Sequence, residues 1–434
     1  MSGTVTASGH PALEVAGVVS PKAVRATRDV RLDVARGLAF LIIFVAHVPD
    51  NAWARWIPAR WGFSDAAAIF VFCSGLASAM AFGGTYARAG WRLGTARVAL
   101  RLWQVYWAHL GLFLALFAFL AAVDLAGLHP DRHYVGSLNL WKMLEEPASA
   151  LLGLLTLRWV PNYFDILPMY LVVLAMIPAM VALAWISPRV AIVVSLLVWL
   201  MAQRSFMGWL GLGAYQLHLP AEPWSDRTWF FNPFGWQFLF FLGFAFGRGW
   251  LPRPPMASHL LWPAVAMLAA SLALSSVGFR LWELEWLKTI YALATGCVET
   301  GFGACNPVYD WRQSHELWLD KTDLSILHVV HFLALAYVSW VLAGPGGVRL
   351  LEAGHGRWMR VRDVVVDFAT VVGRQGLAVF VFSMALSQVA GLVLDLAGRG
   401  PGMVALVNLG GLALVAVCAL VVGWFRSQPW RAAR

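Results

Sequence analysis

Charge is scarce in this chain. Only 13% of its 434 residues are Asp, Glu, Lys or Arg, while 60% are hydrophobic, against about 25% and about 45–50% in an ordinary soluble domain. That balance excludes a soluble enzyme and makes the fold class all-α, a polytopic helical membrane protein. Cysteine is scarce too, with four residues. Cys73 and Cys418 fall in apolar stretches; Cys297 and Cys305 are close enough in a long loop to pair if it faces an oxidising compartment, although spacing alone favours a spectator thiol pair. The histidines lack the close spacing with carboxylate or cysteine that zinc demands, so no metal site is expected. No phosphate-binding glycine loop appears, since the glycine-rich stretches lie within apolar helices. No cleavable signal precedes the first apolar stretch either: residues 1–30 are polar, with Lys22, Arg25 and Arg28, and the first spanning helix is expected to be its own insertion signal. The net charge of +9 does not point to nucleic acid, because the arginines fall in short clusters between apolar stretches and read as topology signals.

Long hydrophobic runs are what the chain does have. A span needs roughly 20 apolar residues, and about ten candidate transmembrane helices lie near 35–50, 65–83, 99–123, 167–186, 189–203, 234–250, 258–277, 325–343, 374–396 and 403–425. Cytoplasmic connections carry the arginine excess. An interior N-terminus then puts Lys22 to Arg31, Arg88 to Arg97, Arg189, Arg248 with Arg253, Arg349 to Arg362 and Arg426 to Arg434 inside, with both termini cytoplasmic. The exterior connections 124–166, 204–233 and 278–324 are long and aromatic. An apolar piece near 285–296 reads as a re-entrant or surface helix, or an extra span. Residues 1–27 form a flexible cytoplasmic tail, and 28–434 one transmembrane domain.

The stretch "RLDVARGLAFLIIFVAHVPDN" (31–51) sets ionisable groups in an apolar helix. Arg36 and His47 are eleven residues apart, hence nearly on one face and about 16 Å apart along the axis. Asp33, Asp50 and Asn51 share that stripe. Intramembrane ionisable residues are functional candidates, although Asp33 and Arg36 could equally snorkel at the interface and His47 could pack against another helix. A neutral imidazole takes a proton from a hydroxyl, and Asp50 one turn away would fix its tautomer. Arginine at the inner mouth suits a phosphate-bearing donor.

The Arg36-to-His47 spacing resembles the signature of the large transmembrane acyltransferase superfamily. The block "RLDVARGLAFLIIFVAHVPDN…GFSDAAAIFVFCSG" is similar to the OpgC family, which succinylates osmoregulated periplasmic glucans. "RLWQVYWAHL" (101–110), "NYFDILPMYLVVL" (162–174), "FNPFGWQFLFFLGFAFG" (231–247) and "GRQGLAVFVFSMALS" (373–387) extend the resemblance over roughly 28–425. Ala68 stands where the family pattern has glutamate and Gly376 where it has serine, so a role resting on that glutamate does not carry over. The resemblance implies a bacterial inner-membrane enzyme that binds acyl-CoA from the cytoplasm, succinyl-CoA or alternatively acetyl-CoA as co-substrate, and delivers the acyl group to a periplasmic glucan or other cell-envelope glycan. His47 would be the general base in a direct transfer, with acyl-histidine as the open alternative.

Further candidates follow by position. Ser64 and Asp65 read as an N-cap; because that helix starts where the first ends, Asp65 is also placed with His47 and Asp50 as catalytic, and Ser64 with Asn51 on the acceptor side. Arg97 and Arg101, with His109 deeper in the span and Arg374 at the inner start of the ninth, join Arg36 as acyl-CoA-binding candidates, topology being the competing role. Asn162, Tyr163 and Asp165, then Asn232, Trp236 and Gln237, then Lys321 beside Asp323, His328 and His331, are acceptor-binding candidates, or interfacial anchors. A sugar or organic-acid transporter would use buried charges too, but the repeat halves that carriers commonly show are not detected.

Overall fold

The computed structural model describes residues 29–298, 303–351 and 356–432; the tail expected over 1–27 lies outside them. Among the described residues there is no strand, only an isolated bridge between Pro220 and Thr228. An apolar chain in lipid must satisfy its backbone within each segment, and helix does so. α1 (Val30–His47) begins at Asp29, whose carboxylate accepts from the Arg31 N–H, and α2 (Ala66–Ser78) begins at Asp65, which accepts from Ala67 and Ala68. A π-helical turn, Ala79–Gly83, leads into α3 (Gly84–Leu125), which is kinked at Gly90 with φ 76°. Then come α4 (Ile166–Ala175), α5 (Ile177–Ile186), α6 (Pro188–Ala202) and α7 (Pro233–Arg248). α8 (Ser258–Ala273), α9 (Ser276–Trp282), α10 (Glu285–Thr295) and α11 (Pro307–Ser314) follow. The last four are α12 (Ile326–Ala343), α13 (Arg357–Gly373), α14 (Gly376–Ala397) and α15 (Pro401–Ser427).

All ten apolar stretches fall on helices. By length and composition five helical stretches qualify as spans, Ala66–Leu125 among them covering two of the ten, and a sixth is the α8–α9 pair bent by 50°. α1 carries Arg31, Asp33 and Arg36, while α6 and α7 are shorter, at 15 and 16 residues. α10, at 11 residues, is about 16 Å long and cannot cross a core of about 30 Å. Its Trp286, Ile290 and Leu293 are exposed, so the apolar piece near 285–296 is a surface helix and not an extra span. Cys297 and Cys305 form a disulfide, against the expectation of a spectator thiol pair.

α1 packs on α2, α13 and α14, and α2 on α7. α13 was hidden behind its arginines, since residues 349–362 read only as a basic connection. Its far half carries Val366 and Ala369, which bury against Val34 of α1. Two glycines allow the crossing: a Cβ on Gly37 would collide with the Ala369 carbonyl oxygen, and one on Gly373 with the Asp33 carbonyl oxygen. Close approach through small residues is how helices pack in lipid, where apolar burial itself drives little association.

Gly37→Ala is therefore expected to lower thermal stability in detergent by about 1–3 kcal/mol, the cost of overpacking. Gly111→Ala, where nothing lies within 4 Å of the added Cβ, should be neutral or slightly stabilising through helix propensity. Melting followed by size-exclusion chromatography compares the two; equal effects would contradict the crossing.

Candidate active site

Two polar regions lie at opposite ends of α1. At the Arg36 end a cavity of about 380 Å³ is lined by Arg36, by Ser74 and Ser78 of α2, by Arg97, Arg101 and Gln104 of α3, and by Tyr170, Leu377 and Phe380. Three guanidiniums on two helices thus face one space. Arg97 donates to Thr85 Oγ1 at 2.5 Å and Arg101 to Gln104 Oε1 at 3.2 Å. Gly376 lines the same cavity, and a Cβ there would run into Arg36 Nη2. The glycine in place of a serine makes room for that guanidinium. Arg374 is not a lining residue; it stands 3.7 Å from buried Asp33. His109 is fully buried away from the cavity, with no hydrogen-bond partner on either ring nitrogen. Ser74, Ser78, Gln104 and Tyr170 were missed by sequence reasoning. The two serines recur four residues apart in an apolar helix, a spacing that marks one face and would have found them.

At the other end, His47 Nδ1 lies 2.8 Å from the Ile43 carbonyl oxygen. A carbonyl only accepts, so Nδ1 carries the proton and Nε2 the lone pair. The ring stands edge-on to Tyr163, with centroids 5.4 Å apart. The Tyr163 hydroxyl donates to the Met384 carbonyl at 2.6 Å and lies 2.7 Å from the Ser387 hydroxyl. Asp65 Oδ1 caps α2 while Oδ2 meets Lys321 Nζ at 2.5 Å. Both Lys321 and Asp65 act electrostatically on His47. Burial works against the charge of Asp65, yet the Lys321 ammonium and the Ala68 N–H outweigh it and hold the carboxyl below its ordinary value. Asp165, just outside the span that starts at Ile166, is buried and pushed up to about 6, in spite of Lys321 and Arg227 nearby.

Other expected residues are placed differently. Asp50 does not orient His47: its φ is 52°, and its carboxylate meets Arg132 at 3.2 Å and Arg399 at 3.9 Å. The tautomer is set by the Ile43 carbonyl instead, and Asp65 is the carboxylate whose charge reaches the imidazole. Asn51 is buried in a reciprocal amide pair with Asn408, at 2.8 and 3.0 Å. Ser64 Oγ lies 2.7 Å from His331 Nδ1. Asn162 accepts from Arg227 at 2.6 Å. Gln237 bonds Ser195, tying α7 to α6. Asn232 and Trp236 bond the backbone carbonyls and the Asp323 side chain of the 320–325 loop. Of the acceptor candidates, Tyr163 stands against the His47 ring, Lys321 acts on it electrostatically, and Asp165 feels Lys321 in turn.

Between the two regions lies an aromatic layer. Phe70 stacks on Phe380 at 5.7 Å and tilts against Phe40 at 5.6 Å and Tyr170 at 6.2 Å. All four are buried.

No curated protein and no solved structure matches the chain. A family model described as "OpgC protein" matches residues 28–427, which takes in both ends of α1, the three cavity arginines and Lys321. The chain therefore belongs to the OpgC family, and with it to the glucan-modifying membrane acyltransferases.

Proposed function

We propose that this protein moves a succinyl group from succinyl-CoA, entering at the Arg36 end, to a hydroxyl of a periplasmic glucan at the His47 end. The observation that carries the reading is the pairing on one helix of a three-arginine cavity with a histidine whose Nε2 is left as the proton acceptor. Guanidiniums hold phosphate in forked geometry, which fits the nucleotide and pyrophosphate of coenzyme A. Ser74, Ser78 and Gln104 supply hydrogen-bonding groups suited to the amides of the pantetheine arm.

In the transfer, Nε2 takes the proton of the acceptor hydroxyl as its oxygen attacks the thioester carbonyl carbon. The tetrahedral intermediate collapses by breaking the carbon–sulfur bond, and the imidazolium returns the proton to the departing thiolate. A thioester is already activated, so placement and one proton acceptor supply most of what the reaction needs. Asp65 favours the transient imidazolium. Asp165 and Tyr163 are the groups suited to hold the acceptor sugar.

The side assignment rests on two features. Both ends of the chain's helical part lie on the Arg36 face, since Gly423 near the end of α15 approaches Gln375 at the start of α14, and arginine-rich ends favour the cytoplasm. The Cys297–Cys305 disulfide belongs to the His47 face, because α11 beside it stacks Trp311 on Phe63, one residue from Ser64. A disulfide suits the periplasm. The resulting picture is an inner-membrane protein with cytoplasmic termini.

Purified protein with succinyl-CoA and glucan is expected to release free thiol and esterify the glucan; acetyl-CoA in a parallel reaction discriminates the acyl group. His47→Ala should lower kcat by roughly 10²–10⁴-fold, the usual contribution of a general base, and unchanged turnover in a folded variant would remove His47 from the role. Arg97→Ala or Arg101→Ala should instead raise the KM for the acyl-CoA by about 10- to 100-fold, as expected when a charged hydrogen bond of about 1.5–3 kcal/mol is lost. An effect confined to the glucan KM would place the donor elsewhere.

A further inference from the structure

The segment Asp320–Ser325 is short, yet neighbouring helices hold nearly every peptide of it. Trp236 Nε1 donates to the carbonyls of Lys321 and Thr322 at 3.1 and 3.2 Å. The Asn232 N–H donates to the Thr322 carbonyl at 3.0 Å, Gln203 Nε2 to that of Asp323 at 2.7 Å, and Trp199 Nε1 to that of Leu324 at 3.0 Å. The Asp323 side chain accepts from Asn232 and Gln216, both at 2.8 Å. Side chains that resembled a sugar site thus serve to immobilise a loop. What the loop presents is Lys321.

The ammonium of Lys321 is held from two sides. Asp65 takes one of its three N–H donors at 2.5 Å, and the rings of Phe230 and Phe231 lie 5.3 Å from the nitrogen. The side chain keeps 33% of its surface, so donors remain for a ligand. Its charge acts on His47, Asp65, Asp165 and His328 alike. Its pairing with Asp65, the cap of α2 at the end of the bundle where α1 ends, sets this cation at the His47 end. A fixed cation flanked by aromatic faces and already matched by a carboxylate is what a developing negative charge requires. It needs no reorganisation when that charge appears.

We infer that Lys321 is a catalytic residue of the acyl transfer: its ammonium donates to the carbonyl oxygen of the acyl group as that oxygen becomes negative in the tetrahedral intermediate. No atom is exchanged at this residue. The proton stays on nitrogen throughout, and the hydrogen bond relaxes when the carbon–sulfur bond breaks and the carbonyl re-forms. Asp65 then has two tasks, holding the ammonium through Oδ2 and favouring the imidazolium at His47, so the cation–anion pair answers both charges that the transition state creates.

This inference rests on the acyl-transfer reading, and the test separates the two. Kinetics of the full-length protein in detergent or nanodisc, with donor and glucan varied in turn, are compared for the wild type, Lys321→Met and Lys321→Arg. Binding of free coenzyme A, read as a thermal shift, reports that each variant is folded. Lys321→Met is expected to lose roughly a hundred- to a thousand-fold in kcat, as when one oxyanion donor is removed, with both KM values nearly unchanged. Lys321→Arg should recover much of the loss. A kcat within threefold of the wild type, a loss confined to the glucan KM, or an arginine variant as slow as the methionine one overturns the assignment. Should Lys321→Met fail to fold, Lys321→Cys before and after alkylation with bromoethylamine gives the same answer, since only a charge requirement is rescued by the new ammonium. If the wild type itself releases no thiol from succinyl-CoA or acetyl-CoA, the acyl-transfer reading fails and this inference with it, whereas a variant result against an active wild type bears on Lys321 alone.

Discussion

An ion placed in an apolar bundle has to be answered by a counter-ion, and that requirement organises the site. Among the carboxylates withdrawn from water, three meet a cation that ties distant elements together: Asp33 and Asp395 keep 2% and 5% of their side-chain surface, and Asp65 keeps 19%. Each meets a cation from a distant part of the chain: Asp33 meets Arg374, Asp65 meets Lys321, and Asp395 meets Arg132. Such pairs are poor sources of stability, since desolvation offsets most of the attraction, whereas removing one member leaves a charge stranded. Their effect is positional. The first pair ties the start of α1 to the α13–α14 junction, the second ties α2 to the 320–325 loop, and the third ties the end of α14 to the loop after α3.

α14 runs alongside α1 and repeats its levels. Gly376 lies beneath Arg36, Phe380 stacks on Phe70, and Met384 with Ser387 hold the tyrosine that faces His47. From residue 376 to 387 is eleven residues, about 16 Å, the same rise that separates Arg36 from His47. The aromatic layer occupies the middle of that interval. Its buried rings Phe70, Tyr170 and Phe380 form the wall of the arginine cavity on the side toward His47 and set an apolar layer between the two polar ends of α1.

How much of this was legible in the sequence follows from how local each signal is. Apolar runs are contiguous, so the ten apolar helical stretches were readable, and the cap at Asp65 sits two or three residues from the N–H groups it satisfies. The arginine cavity was half legible, because Arg36, Arg97 and Arg101 announce themselves by charge in apolar surroundings, while Ser74, Gln104 and Tyr170 become polar walls only through packing. Asp50 misled for the opposite reason. It stands three residues from His47, but its φ of 52° and the arginines at 132 and 399 turn it outward, and neither cause is local. α13 was obscured because its core-facing residues, Val366, Ala369 and Gly373, acquire meaning only against Val34 and Gly37 some 330 residues earlier. Asn232 and Trp236 looked like sugar ligands since amides and indoles serve both tasks; what decides is whether a loop or a solvent space lies opposite.

Tyr163 shows what the arrangement does with strain. Its φ is 83°, a conformation that costs a non-glycine residue on the order of 1–3 kcal/mol and survives only where the surroundings over-determine it. Here they do: the hydroxyl is fastened to the Met384 carbonyl and beside Ser387, and the ring is wedged between His47 and Phe164 at 5.4 and 5.5 Å. A relaxed backbone at 163 would swing the ring away from the imidazole, leaving His47 held by the Ile43 carbonyl alone. One bond fixes which nitrogen carries the proton but allows the ring to pivot about it; the edge of Tyr163 removes that pivot. The strained residue thus supplies a second constraint on the orientation of the His47 ring. In the proposed transfer, Tyr163 would then fix where the proton goes and Lys321 where the negative charge settles.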